Sequence, residues 1–353
     1  MVHKGKLAGF TPRFTISRRI LANLTQIAAA REVILHAYLV PKWEVELRKE
    51  ALIRGAHSST SIEGNRLSHE QVSELAAGRQ IMASRKDKQE VINYLHVLEH
   101  LPDYADGKRI TEKSIKKMQE RVTKDVLDDP MDCGTYRNRQ VFVGNRLTGE
   151  VTFMPPRADE VPEQMRQLID WLGSKDADGL DPVLVAGIAH YELVRIHPFI
   201  DGNGRTARAL ASLILVSRNF NIKRFFTLDD YYDSDRIAYY GALQGVDSRK
   251  RDLTAWLEYF TGGVALSVNR VKERILRLSS EKLRKDTKGQ IALTERQMRI
   301  IENLNAKGKI TNREIRTMFK LSNRGAVDEI NRLIRLGVVK PEGKGRSVHY
   351  VLA

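Results

Sequence analysis

A mainly helical fold is predicted, with a β-hairpin set into it and a basic three-helix unit near the C-terminal end. Three observations predict it. Apolar residues recur at helical spacing through most of the 353 residues. Prolines and glycines crowd residues 128–156 and interrupt that rhythm. From Arg270 onward, 21 Lys+Arg stand against 9 Asp+Glu and carry most of the net charge of +15.

Each element has its own signal. Helices are read over residues 20–38 and 45–55, separated by Pro41. Ser68, with Gln71 three places on, looks like a capped helix start. A helix over 89–101 ends at Pro102, and Thr111 caps another through 122. Two β-prone pieces, 140–143 and 150–154, flank a Gly144 to Gly149 turn and read as a hairpin. Helices resume over 161–172, 182–195, 205–218, 234–244 and 253–283, followed by a linker at 285–289. Thr294, Thr311 and Ser322 then cap helices reaching 304, 319 and 336; strands at 337–339 and 348–352 flank a turn at 342–346. The expected domains are an N-terminal helical region (1–110), a core (111–265), a linker helix (266–289) and a C-terminal domain (290–353).

Composition sets bounds. Hydrophobic content of 42% and charged content of 29% fit a globular protein. Cys133 is the only cysteine, so no internal disulfide is expected and a reducing, cytoplasmic location is. No apolar run approaches the roughly 18 residues of a membrane helix, so no membrane partner is expected. The N-terminus has basic residues without the apolar stretch of a signal peptide. The basic C-terminal end points to nucleic acid, or to a solvated basic surface.

The residues from His197 to Arg208 read HPFIDGNGRTAR and precede an apolar helical run. Amides of Gly202, Asn203 and Gly204, with the free N–H groups of the next helix, can form an anion-binding nest. Glycine suits a backbone that must turn sharply and approach phosphate closely. Arg205 and Arg208 are three apart, so both guanidinium groups are expected at one helix end, where forked donors suit phosphate oxygens. Asp201 is a hard oxygen ligand of the kind that shares Mg²⁺ with substrate phosphates. His197, with an ordinary pKa of about 6.5, can take a proton from an attacking hydroxyl near neutral pH. A histidine before proline, a glycine turn and two helix arginines are each commonplace and usually structural. Their order and spacing together carry the reading. Phe199 and Ile200 are expected mainly to pack and fix the loop.

At these residues the sequence resembles the Fic family of nucleotidyltransferases. The family motif, His-x-Phe-x-Asp/Glu-Gly-Asn-Gly-Arg-x-x-Arg, is met at every specified position from His197 to Arg208. The resemblance implies a helical core with a hairpin flap, and transfer of AMP from ATP to a Ser, Thr or Tyr hydroxyl of a target protein, the chain itself included. It makes His197 the general base and gives Mg²⁺ to Asp201. Asn203 would orient the α-phosphate beside the amides of Gly202 and Gly204. Arg205 would meet the β-phosphate and Arg208 the γ-phosphate. The Doc-type branch phosphorylates instead and departs from the motif near the second glycine; Gly204 and Arg208 here favour AMP transfer.

Ser59 and Glu63 are four apart and share a helix face. With Gly64 they fit the family's inhibitory motif, Ser/Thr-x-x-x-Glu-Gly/Asn, which implies that Glu63 pairs with Arg208 and blocks the γ-phosphate position. In some members this glutamate positions water for AMP removal. The same residues also describe a plain helix end capped by Gly64. The hairpin matches the family's flap, which aligns an extended target segment by main-chain hydrogen bonds, and Thr135-Tyr136-Arg137 and Pro155-Pro156 fit its flanks. The run from Tyr239 to Gln244 resembles the family's Tyr-Tyr-x-Ala-Leu segment and makes Tyr240 the candidate for the adenine pocket. Tyrosines so spaced also suit core packing. Tyr231 and Tyr232 are weaker candidates, and Trp256 and Phe260 read as core.

Three helices plus a basic hairpin resemble a winged helix-turn-helix domain. Such domains lay the third helix in the major groove, giving Asn323, Arg324 and Arg332, with Lys344 and Arg346 on the wing, as candidate contacts. The same fold also serves protein docking or dimerisation. The expected partners are ATP, a target protein, duplex DNA and a second copy of the chain, since many Fic proteins dimerise. The alternative reading is a DNA-binding regulator whose nucleotide site senses nucleotide or removes AMP.

Overall fold

Capped, amphipathic helices account for most of this chain. The computed structural model describes residues 9–37, 39, 41–107, 109–144, 151–220, 222, 224–247, 249–283, 293–343, 345 and 348–352. In chain order the helices are α1 (Arg18–His36), α2 (Pro41–Ile62), α3 (His69–Ala76), α4 (Arg85–Glu99), α5 (Glu112–Thr123), α6 (Val161–Leu172), α7 (Lys175–Asp178), α8 (Pro182–Ile196), α9 (Asn203–Ser217), α10 (Asp229–Ser234), α11 (Arg236–Gln244), α12 (Thr254–Leu283), α13 (Glu295–Lys307), α14 (Asn312–Phe319) and α15 (Asn323–Arg335). The strands are β1 (Val143–Gly144), β2 (Val151–Phe153), β3 (Val339–Glu342) and β4 (His349–Leu352).

The chain divides into two compact units: one takes in the chain up to Glu32 with Ala51–Arg270, the other Val33–Glu50 with Val271–Ala353. In the first, α8 and α9 pack on each other, α5 lies on α9 and α6 on α8. Helix α8 is apolar nearly all round and buries Val183, Leu184, Val185, Ala186, Ile188 and Leu193, which makes it the central helix. Asp181 caps it, accepting from the Val183 amide at 2.8 Å, and Pro182 takes the first position, where a missing N–H costs nothing. Gly187 lets α12 come close. The Trp256 indole donates to the Gly187 carbonyl at 2.8 Å. A Cβ at Gly187 would stand 2.9 Å from Leu257 Cδ2 and 3.0 Å from Phe260 Cδ1.

The second unit holds α13, α14 and α15 with the antiparallel β3–β4 pair, in register from Val339↔Leu352 to Glu342↔His349. Its core gathers Ile300, Ile301, Leu304, Ile315, Ile330 and Leu333, with Val45 of α2 among them. Capping boxes at Thr294/Gln297 and Thr311/Glu314 start α13 and α14. Each such cap stabilises by about 0.5–2 kcal/mol.

The structure is mainly helical, as expected, and differs in detail. The hairpin strands are shorter than read, and the tip, 145–150, lies outside the described residues, as do the expected linker at 285–289 and the wing residues Lys344 and Arg346. Helix α9 begins at Asn203 rather than Arg205, because Gly202 already turns the chain as its N-cap. The helix expected over 234–244 is broken at Asp235, whose carboxylate caps α11 through the Ala238 amide at 2.9 Å. Helix α7, a single short turn, was not foreseen. Among the described residues no helix is long and apolar enough to cross a membrane.

Gly187→Val should overpack the α8–α12 contact and cost roughly 1–3 kcal/mol. A lower urea midpoint with an unchanged slope would show it; an unchanged midpoint would mean that α12 yields freely.

Candidate active site

Helix α8 ends because His197 takes the left-handed conformation, φ 50° and ψ 58°. Pro198 follows and cannot continue the helical ladder. The imidazole Nδ1 lies 3.2 Å from the Val194 carbonyl. A carbonyl only accepts, so Nδ1 carries the proton and Nε2 keeps its lone pair. Burial pushes the His197 pKa below its ordinary value; the Val194 hydrogen bond and the Glu63 and Asp201 charges raise it, and Arg137 lowers it.

Asn203 closes the loop. Its Oδ1 accepts from the Phe199 amide and its Nδ2 donates to the Phe199 carbonyl, both at 2.9 Å. One Nδ2 hydrogen closes the loop, and the amide carries a second. Phe199 is fully buried against Tyr136. Gly202 turns the chain at φ 79°, where a Cβ would stand 2.8 Å from Thr123 Cγ2. Asp201 Oδ1 accepts from the Gly202 amide at 2.5 Å and from Arg205 Nη2 at 3.2 Å.

Two residues outside the motif hold this loop. Gln119 of α5 donates to the Asp201 carbonyl at 3.0 Å and accepts from the Gly134 amide at 2.5 Å. Arg137 is buried, and its Nε donates to the His197 carbonyl at 2.8 Å while Nη2 donates to the Pro156 carbonyl at 2.5 Å. It ties the histidine to the base of the hairpin. Sequence reading singled out Arg137 only as a hairpin flank and passed over Gln119, since nothing local marks either as a clamp.

The first amides of α9 have no partner within the helix, and Gly202, as N-cap, offers them no side chain. They form an electropositive end. The Glu63 carboxylate lies over it: a Cβ on Gly204 would collide with Glu63 Oε1. That same oxygen accepts from Arg208 Nη2 at 2.8 Å. Arg208 is buried, donating through Nε to Ser59 Oγ at 2.7 Å and through Nη2 to the Ser59 carbonyl at 2.9 Å. Its Nε is also 3.3 Å from Asp229 Oδ1. Burial pushes the Asp229 carboxyl up, and Arg208 draws it back down. Ser59, Glu63 and Arg208 thus meet, although the helix ends at Ile62 and Glu63 stands just beyond it, before Gly64 at φ 94°.

Both arginines lie about the start of α9: Arg208 Nη1 is 3.1 Å from where a Cβ on Gly204 would stand, and Arg205 Nη2 reaches Asp201. Arg205 also faces α4, 3.5 Å from Glu90 Oε1, and is only 2% exposed. Tyr240 is 41% exposed, with its hydroxyl 3.5 Å from the Ile62 carbonyl. Tyr239 is buried instead, stacked on Tyr232 at 4.5 Å and hydrogen-bonded to His190 at 2.9 Å. On the hairpin, Phe142, Val151 and Met154 are exposed.

Known proteins resemble this chain in sequence and fold. The Fic/DOC family model matches residues 109–215. The protein adenylyltransferase Fic of Nematostella vectensis is 32% identical over 202 residues, covering 56% of this chain and 45% of that protein. Protein adenylyltransferase fic-1 of Caenorhabditis elegans is 33% identical over 205 residues, 56% of this chain and 39% of that protein. The chain therefore spans less than half the length of these curated relatives. Among solved structures, a Fic family protein from Desulfovibrio desulfuricans G20 superposes over 98% of both chains with a TM-score of 0.65 at 24% identity, a likeness of fold. Fic-1 (residues 134–508) from C. elegans matches 74% of this chain and 73% of its own with a TM-score of 0.57 at 26% identity. The chain carries a Fic/DOC-family domain, and the loop from His197 to Gly202 with the start of α9 lies within it.

Proposed function

We propose that this chain is an autoinhibited protein adenylyltransferase that moves AMP from ATP to a hydroxyl of a target protein. One observation carries the reading: the Glu63 carboxylate sits on the amide end of α9 and on Arg208 at once, where a nucleotide phosphate would need the same donors.

His197 Nε2, left as the acceptor by the Nδ1 bond to Val194, takes the proton of the target hydroxyl. The oxygen attacks the α-phosphorus and pyrophosphate leaves. The amides around Gly202 and Gly204 cradle the phosphates, Arg205 is the donor nearest the β-phosphate and Arg208 meets the γ-phosphate. Asn203 keeps those amides in place by closing the loop. Among the described residues no cluster of three or more His, Cys, Asp or Glu side chains gathers to hold a metal. A single carboxylate, Asp201, fits a Mg²⁺ whose other ligands are water and substrate phosphate. When bound, that ion would neutralise phosphate charge. Tyr240, exposed beside the end of α2, is the side chain proposed for the adenine ring, and the hairpin edge with Phe142 and Val151 is proposed for the target segment. Catalysis of this kind rests on positioning and electrostatics.

Glu63→Gly should raise transfer of α-phosphate label from ATP about tenfold to a hundredfold. That range follows from about 1.5–3 kcal/mol for a charge-assisted hydrogen bond, at 1.4 kcal/mol per tenfold. Adding His197→Ala should remove roughly 10²–10⁴ of the rate. Label from the γ-phosphate alone would mean kinase chemistry and would refute the reading. If wild type instead strips AMP from a modified target faster than the Gly variant, Glu63 is acting on water.

The pH dependence follows from the His197 environment. Its pKa lies below the usual value, so Nε2 is mostly unprotonated at pH 6.5 and charges at lower pH. Removing Glu63 removes a charge that favours the protonated form and shifts this further down. The kcat/KM of Glu63→Gly should show an acid limb centred below pH 6.5. An acid limb centred at or above 6.5 would contradict the assignment.

The C-terminal unit favours a second role. Helix α15 buries Ala326, Ile330 and Leu333 and exposes Asn323, Arg324, Arg332 and Arg335 on its other side. With β3 and β4 after it, this suits a winged helix whose third helix enters the major groove. We propose duplex DNA as its partner. Affinity for duplex DNA should fall steeply with salt, and Arg324→Ala with Arg332→Ala should flatten the salt slope by about two. No retention of DNA at low salt would leave protein docking as the use of this surface.

A further inference from the structure

Arg208 is held by two carboxylates that differ in kind. Glu63 follows the last residue of α2, its side chain is 29% exposed, and it meets Arg208 through Nη2. Asp229, the first residue of α10, is 3% exposed in its side chain and lies 3.3 Å from Arg208 Nε, whose hydrogen goes to Ser59 Oγ. The Asp229 carboxylate is itself anchored. Thr227 Oγ1 donates to Oδ2 at 2.7 Å, and the Tyr94 hydroxyl donates to Oδ1 at 3.4 Å. Thr227 Oγ1 also accepts from the Asp229 amide at 3.2 Å. One acid is positioned to leave and the other to stay.

That division has a physical reason. A guanidinium out of water requires a counter-ion, and stripping one partner from a buried pair leaves an uncompensated charge. Were Glu63 the sole anion beside Arg208, its departure would expose that penalty before any phosphate arrived. Asp229 removes it. It also favours one orientation: with the Nε hydrogen held by Ser59 Oγ and the Asp229 charge 3.3 Å from Nε, the planar group keeps its Nη donors aimed where Glu63 was.

We propose that Asp229 is a positioning residue: the permanent counter-ion of Arg208, which holds the guanidinium ready for the terminal phosphate once Glu63 withdraws. This rests on the nucleotide-transfer reading above and extends it to a residue outside the motif. The consequence is selectivity by phosphate count. Interactions lost with Asp229 should weaken a triphosphate and spare a diphosphate.

The test uses the full chain in a Glu63→Gly background, with and without Asp229→Asn, which keeps size, removes the charge and turns one acceptor oxygen into a donor. Calorimetry with magnesium should show ATP bound about tenfold more weakly by the double variant, about 1.4 kcal/mol of lost positioning, with ADP affinity unchanged. In labelling assays KM for ATP should rise by a similar factor while kcat moves less. Thr227→Ala, which loosens the same carboxylate, should shift the ATP-to-ADP preference in the same direction by a smaller factor, and it stands in if Asp229→Asn does not fold. Equal ATP-to-ADP preference with and without the Asp229 carboxylate, or equal loss for both nucleotides, would overturn the proposal. If Glu63→Gly binds ATP yet transfers no AMP, the transfer reading fails, while the binding comparison still decides the role of Asp229.

Discussion

A cation shut away from water governs this site. The Arg208 guanidinium is buried, and a charge in that position must be matched by an anion and its donors by acceptors. The chain supplies Ser59 through both its hydroxyl and its carbonyl, Asp229 near Nε and Glu63 at Nη2. The amide end of α9 adds positive potential beside Glu63. Together these make the space over Gly204 a place where a negative group belongs. Without that combination, the segment from His197 to Gly202 would be an ordinary connection between two packed helices.

The connection itself is set by two left-handed residues. Gly202 adopts this shape freely, but His197 at φ 50° bears a strain of about 1–3 kcal/mol. The surroundings impose it. Arg137 fixes the His197 carbonyl, and Asn203 grips both backbone groups of Phe199. Only an amide side chain can accept and donate at once in this manner; an aspartate there would lack the donor and a serine the reach. The strained backbone turns the imidazole so that Nδ1 reaches Val194, which leaves Nε2 as the ring nitrogen with a lone pair, the one the proposed mechanism uses.

What could be read from sequence was what neighbours in sequence decide. The bounds of α14 were legible from Thr311 and the apolar spacing after it, because cap and period lie within one short segment. The same holds for the starts of α3, α5 and α13. The motif residues were legible as a set, yet the directions of their side chains were not. Arg205 and Arg208 look equivalent in a line of text, yet Arg205 is met by Glu90 on α4 and Arg208 by Ser59 on α2. The loop-closing bonds of Asn203 to Phe199 carry no mark in the text either. Asp229 carries no local mark at all; its meaning arises only from Arg208, Tyr94 and Thr227 meeting it in space.

The turn that presents Glu63 shows how such a carboxylate can be both firm and removable. Backbone bonds from Glu63 to Thr60, Gly64 to Ser61 and Asn65 to Thr60 hold the main chain at 2.9–3.1 Å, so the side chain can move while the turn stays. Asn65 in the same turn donates to Glu90 Oε2 at 2.9 Å, and Glu90 Oε1 faces Arg205 at 3.5 Å. Both motif arginines are therefore neutralised by acids gathered about this one turn, Arg208 directly and Arg205 through Glu90. A carboxylate has one charge and two oxygens to offer the α9 amides and Arg208, whereas a triphosphate brings more of each. On the proposed reading, the contact satisfies the pocket when nucleotide is absent and yields to the ligand it resembles. That is the balance a built-in competitor requires: raising its grip with further donors, of the kind that hold Asp229, would turn the proposed reversible occupant into a fixed part of the wall.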